Sequence, residues 1–217
     1  MKIQWLGQAC FCITSQTGLK LITDPYQTGL SPRFLYAPVN ESADIVTVSH
    51  SHGDHDNISA VSGNPVVVRN PGVTNVKGIE IKGILTWHDR VKGAELGTNV
   101  IFMFQMDGIR VAHLGDLGHP LSSQQIAELK GTDILFVSAG GGNPQDFQDI
   151  IALWQQLKPR LVIPMHFSTA HYLSQKYKAE DLVRLVPDAK IISDSQISVT
   201  KDNLPASTQM FILDPLR

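Results

Sequence analysis

The chain has 217 residues, 42% of them apolar and 18% charged, with 18 basic against 20 acidic side chains and a mean hydropathy of −0.02. That is enough for a sizeable core in one domain spanning 1–217, and the near-balance of charge excludes a broad basic face for nucleic acid or an anionic membrane. No apolar run approaches the roughly 18 residues of a membrane span, and the polar start Met1-Lys2-Ile3-Gln4 does not read as an export signal, so a soluble, cytoplasmic protein is expected. Cys10 and Cys12 lie two apart and would share one face of a strand, which excludes a disulfide scaffold and a zinc ribbon.

In chain order, short β-type runs are expected at 3–6, 11–14, 19–23 and 45–49, separated by Gly7, Gly18, Pro25, Gly29 and Pro38. Further strands are expected at 66–69, 79–85, 100–105 and 109–114, the last two joined by Met106-Asp107-Gly108, where Asp-Gly suits a tight hairpin. The period then changes. Helices are expected at 122–130, 144–157 and 178–185, alternating with strands at 134–137, 161–163 and 190–192. Ser122 followed by Gln125, and Asn143 followed by Pro144, read as helix starts. A β-rich first half followed by β-α alternation fits an α/β (α+β) protein of stacked sheets with helices outside.

The chemistry is concentrated in Ser49-His50-Ser51-His52-Gly53-Asp54-His55-Asp56-Asn57, where five of nine residues can bind metal. His50 and His52 share a face if the chain is extended, and Gly53 permits a sharp turn that brings Asp54 and His55 towards a second cation. A histidine-rich surface loop is the plain alternative, but three His and one Asp within six residues is a high density for a chain with eight His.

This segment resembles the His-x-His-x-Asp-His signature of the metallo-β-lactamase fold superfamily. Leu6-Gly7-Gln8-Ala9-Cys10-Phe11, Thr23-Asp24-Pro25, Thr86-Trp87-His88, His113-Leu114-Gly115-Asp116, Gly141-Gly142-Asn143 and Pro164-Met165-His166 resemble, in the same order, landmarks of its UlaG-like branch of metal-dependent hydrolases. That branch includes the ascorbate-6-phosphate lactonase and is similar to phospholipase D enzymes acting on N-acyl phosphatidylethanolamine. The resemblance implies an αββα sandwich of two mixed β-sheets flanked by helices. It implies that His50, His52 and His88 hold one metal, that Asp54, His55 and His166 hold another, and that Asp116 bridges them. Imidazole and carboxylate donors without thiolate suit two divalent ions, zinc first, with manganese or iron as alternatives. His52 stands where the flavodiiron relatives have Glu, which argues against oxygen reduction.

The function so implied is a dinuclear hydrolase that uses a metal-bound hydroxide on a small anionic ester, either a lactone or a phosphodiester. Asp54 or Asp116 would take the proton, with His113 as a further acid candidate. The expected partner is a small anionic substrate, with no nucleic acid and no membrane; a homo-oligomer is compatible with the sequence. The other readings are a non-catalytic metal- or ligand-binding module of the same fold, or a nuclease, for which the chain has neither spare length nor an aromatic-interleaved basic patch. Among the remaining residues, Asp24 either orients a ligating imidazole or is a turn residue before Pro25. Gly140-Gly141-Gly142-Asn143 reads as a tight turn before an anion cradle. Trp87 reads as core before site wall, and His119 and His171 as satisfied structural or solvated groups before groups lining the site. Many relatives carry Gly-His-Ala where this chain has Gly7-Gln8-Ala9, and an amide cannot titrate near neutral pH.

Overall fold

The computed structural model describes residues 1–140, 145–173 and 175–216. Its elements run β1 (Lys2–Gly7), β2 (Cys10–Thr14), β3 (Lys20–Thr23), β4 (Ile45–Thr47), a 3-10 turn (Ile58–Ala60), β5 (Val66–Val68), β6 (Gly72–Val76), β7 (Ile79–Trp87), β8 (Thr98–Met106) and β9 (Ile109–His113). Then follow α1 (Ser123–Leu129), β10 (Ile134–Ser138), α2 (Phe147–Leu157), β11 (Leu161–Met165), α3 (Ala179–Leu185), β12 (Lys190–Ile192), β13 (Gln196–Ser198) and β14 (Gln209–Leu213).

They build two mixed sheets, ordered β13-β1-β2-β3-β4-β5 and β12-β14-β11-β10-β9-β8-β7-β6. The first sheet is antiparallel from β13 to β3 and parallel from β3 to β5. The second is parallel from β12 to β9 and antiparallel from there to β6. The parallel part requires crossovers, which is why the helices lie in the second half of the chain.

Alternation along β1 and β2 sends Ile3, Trp5, Phe11 and Ile13 into the core shared by the sheets, while Leu6, Cys10 and Cys12 face the opposite side. Phe11 packs on Phe136 of β10 with ring centroids 4.3 Å apart and on Trp5 at 6.1 Å, tying the two sheets together. The outer face of the first sheet is covered by Tyr26, Phe34, Tyr36, Val39 and Val61 rather than by a long helix, so the helix layer on that side is reduced to loop 26–43 and the 3-10 turn. Cys10 and Cys12 are buried there as thiols and not as a disulfide.

Several sequence expectations are met closely. Asp107 and Gly108, at φ 52° and 76°, make the two-residue turn between the paired Met106 and Ile109, the left-handed pair a tight hairpin needs. Ser122 and Gln125 form a reciprocal capping box at the start of α1. Others need correction. Helix α2 starts at Phe147, capped by the Asp146 side chain, and not at Pro144; Asn143 and Pro144 lie outside the described residues, as do Gly141 and Gly142. Three strands went unpredicted, β6, β13 and β14. The first two are short or exposed edge strands with little alternation to read. All the segments carrying predicted ligands leave the sheets at one rim: the loop after β4, His88 after β7, Asp116 after β9 and His166 after β11.

Candidate metal centre

His50, His52 and His88 each offer a nitrogen, and these atoms lie within 4.8 Å of one another, as do donor atoms of Asp54, His55 and His166. The three rings of the first group stand 4.6, 4.7 and 4.9 Å apart between centroids. Asp116 lies between the groups. Its Oδ2 is 3.3 Å from His88 Nε2, 3.4 Å from His55 Nε2 and 3.3 Å from His166 Nε2. All seven residues implied as ligands by the sequence resemblance are thus brought together.

Hydrogen bonds fix which atom of each ring is free to bind. Asp24 is fully buried at φ 38°; its Oδ2 accepts from His55 Nδ1 at 2.9 Å, and its carboxylate also accepts from the Ser49 amide and hydroxyl. That leaves His55 Nε2 as the open donor atom. Because the Ser49 hydroxyl donates to Asp24, its oxygen accepts from His50 Nδ1 at 3.0 Å, and His50 Nε2 is left open in the same way. His50 Nε2, His55 Nε2, His88 Nδ1 and Asp116 Oδ1 are buried without a partner. Buried polar atoms are normally satisfied, so four such atoms in one cluster fit a site completed by cations.

The charges agree. Burial works against ionisation throughout, yet the Asp116 and Asp54 carboxylates hold His55 well above the ordinary imidazole range and push His166 up to about 10. Burial likewise opposes the charge on Asp54 and Asp116, and His55 and His166 outweigh it, holding both carboxyls well below their usual range. His50 moves the other way, down to about 3, through burial and then the charge on His55; His52 is lowered by burial and by His88. The protons on His55 and His166 therefore sit where cation charge would replace them.

His113 occupies a different place from the acid role expected of it. It is fully buried; its Nε2 donates to the Ala9 carbonyl at 3.0 Å, and its Nδ1 accepts from the Gly115 amide at 3.3 Å. Burial lowers its pKa, so it is a neutral spacer beneath Asp116. His119 bonds the neighbouring Pro120 carbonyl and His171 stacks on Tyr36; neither joins the groups above. Trp87 is half-buried at the end of β7, with its ring beside Gly93. Gly140 packs tightly against the His166 carbonyl and Gln175; the rest of its glycine run lies outside the described residues.

Sequence reasoning missed four supporting residues. Ser49 links Asp24 to His50 as described. Asn99 Oδ1 accepts from the Asp116 amide at 3.0 Å while its Nδ2 holds Thr86 Oγ1 and the Leu114 carbonyl. Asp89, beside His88, accepts from the amides of Val91, Gly93, Glu95 and Leu96 and so fixes the loop after β7. Tyr172, with its ring 6.3 Å from that of His166, has its phenol raised by burial and then by the Asp54 charge. None of the four stands in a local pattern that marks it.

Comparison with known proteins matches residues 2–166 to the model of the beta-lactamase superfamily domain. The chain is 31% identical over 195 residues to a UPF0173 metal-dependent hydrolase of Carboxydothermus hydrogenoformans, covering 78% of this chain and 85% of that one. It is 29% identical over 198 residues to a UPF0173 metal-dependent hydrolase of Archaeoglobus fulgidus, covering 78% and 84%. Among solved structures, a candidate Zn-dependent hydrolase of the metallo-β-lactamase superfamily from Thermotoga maritima aligns over 98% of this chain and 99% of its own, with 30% identity and a TM-score of 0.77.

Proposed function

We propose that this chain, which belongs to the metallo-β-lactamase superfamily and is a metal-dependent hydrolase, works through two cations on a small anionic ester, a lactone or a phosphodiester, as in the UlaG-like branch it resembles. The observation that carries the reading is Asp116 Oδ2, within 3.3–3.4 Å of imidazoles from both ligand groups. His50, His52 and His88 would hold one ion and Asp54, His55 and His166 the other, with Asp116 shared. Imidazole and carboxylate donors suit zinc, with manganese or iron as alternatives. When bound, such a pair acidifies water and polarises a carbonyl or phosphoryl oxygen.

The chain's own groups do the rest. Asp24 fixes His55, and Ser49 fixes His50, so that each presents Nε2. The Asp54 side chain is 25% exposed and that of Asp116 only 9%, so of the two carboxylates Asp54 is the one placed to relay a proton between the centre and a leaving group. Neutral His113 keeps the strand end beneath Asp116 in place. Hydrolysis of bis(p-nitrophenyl) phosphate and of a chromogenic lactone, each with and without chelator, tests the reading. Chelator-sensitive turnover of either supports it; metal uptake without turnover of either would favour the binding module instead.

A further inference from the structure

We infer that the turn Gly7-Gln8-Ala9 between β1 and β2 is the device that positions the second ligand group, with Gln8 as the positioning residue for Asp54 and His166. The inference rests on the two-cation reading above. Gln8 is fully buried. Its Nε2 donates to Asp54 Oδ2 at 2.7 Å, the same oxygen that lies 3.5 Å from His55 Nε2 and 3.6 Å from His166 Nε2. Its main-chain carbonyl accepts from the His166 amide at 3.2 Å and from Trp5 Nε1 at 2.9 Å. One residue thus grips two members of the group, Asp54 by side chain and His166 by backbone.

The next residue reaches Asp116. The Ala9 carbonyl accepts from His113 Nε2, and His113 Nδ1 accepts from Gly115, which directly precedes Asp116. The turn itself is pinned. Gln8 stands at φ 51° and Gly7 at φ 132°, and a Cβ on Gly7 would sit 2.6 Å from the Tyr36 ring. A non-glycine residue held in left-handed backbone is a cost that folds retain where the surroundings demand that geometry. His166 shares the feature at φ 56°.

The chemistry of the amide suits the task. A glutamine N–H cannot be lost near neutral pH, so Asp54 keeps its donor whatever the charge on the imidazoles around it. The amide oxygen, Gln8 Oε1, is buried without a partner and is joined through the amide carbon to the donating nitrogen. A residue that only filled space would not need the bond to Asp54.

The test is zinc titration by calorimetry of the wild type, Gln8→Asn and Gln8→Met, with Asp54→Ala run alongside to mark the ion held by the second group. Asn tolerates the left-handed backbone but is too short to reach Asp54; Met keeps the length and loses the donor. In both variants the ion marked by Asp54→Ala should bind about 10- to 100-fold more weakly, the usual cost of losing a partner that orients a ligand. The other ion should keep its parental affinity, and the metal-free proteins should stay folded with a parental thermal midpoint. Parental affinity for both ions in either folded variant would overturn the inference. If the wild type takes a single ion, the two-cation reading falls; the Gln8 inference then stands only if Gln8→Asn weakens the ion that Asp54→Ala removes, and falls otherwise.

Discussion

Asp116 carries more of the site than any other side chain, because one of its oxygens faces three imidazoles and the other is buried without a partner. An amide in its place is a poor bridge between cations. Asp116→Asn is expected to weaken ion binding and cut turnover by more than the about 10- to 100-fold that loss of an outer partner costs. Asp56→Asn is the control. Asp56 takes both guanidinium nitrogens of Arg69 at 3.1 Å and belongs to neither ligand group. It should keep both ions and its activity. Equal behaviour of the two variants would sink the bridging role.

The protons on the second group give a pH test. With His166 pushed up to about 10 and His55 also raised, both rings carry a proton at neutral pH, and that proton must leave before Nε2 can bind a cation. Apparent metal affinity should therefore rise as pH rises towards 10, and uptake should release protons to the buffer. Calorimetry in two buffers of different ionisation enthalpy reads this directly; identical heats in both would contradict it. At this scale the sequence shows the donors and not their supports. The cluster from His50 to His55 is contiguous and legible in itself, whereas His88, Asp116 and His166 are single residues that stand out only through their neighbours in a family pattern. Gln8, Ser49 and Asn99 act through partners that only the folded chain supplies; Gln8 and Asp54 are 46 residues apart.

Elements were legible where local chemistry decides them. The Asp107-Gly108 hairpin and the Ser122 cap follow from backbone preference and a side-chain hydrogen bond, both local. The start of α2 was less so: its cap is Asp146, which Lys176 and Tyr177 hold from 30 and 31 residues away, and no local window contains them. Phe11 is the element-scale test. It is fully buried and connects β2 to β10 through Phe136, so Phe11→Ala should cost about 3–5 kcal/mol by transfer and cavity terms. Urea unfolding checks this. A loss below about 1 kcal/mol, less than one modest core truncation, would mean that the two sheets do not depend on that contact.

For the whole molecule, the alternation of strands and the later β-α pattern predicted stacked sheets, and two mixed sheets are found. What composition could not show is that both sheets end their strands at a common rim, where loops 48–57 and 114–116 and residues 88 and 166 meet. That convergence turns scattered polar residues into one centre, and it is a property of sheet order and not of any segment. The most direct measurement follows hydrolysis of bis(p-nitrophenyl) phosphate, or of the chromogenic lactone if that is the better substrate, while metal-free protein is titrated with zinc. Turnover is expected to keep rising until two ions are bound per chain and to be abolished by chelator. A plateau at one ion, or no turnover of either substrate at full loading, would contradict a two-cation hydrolase.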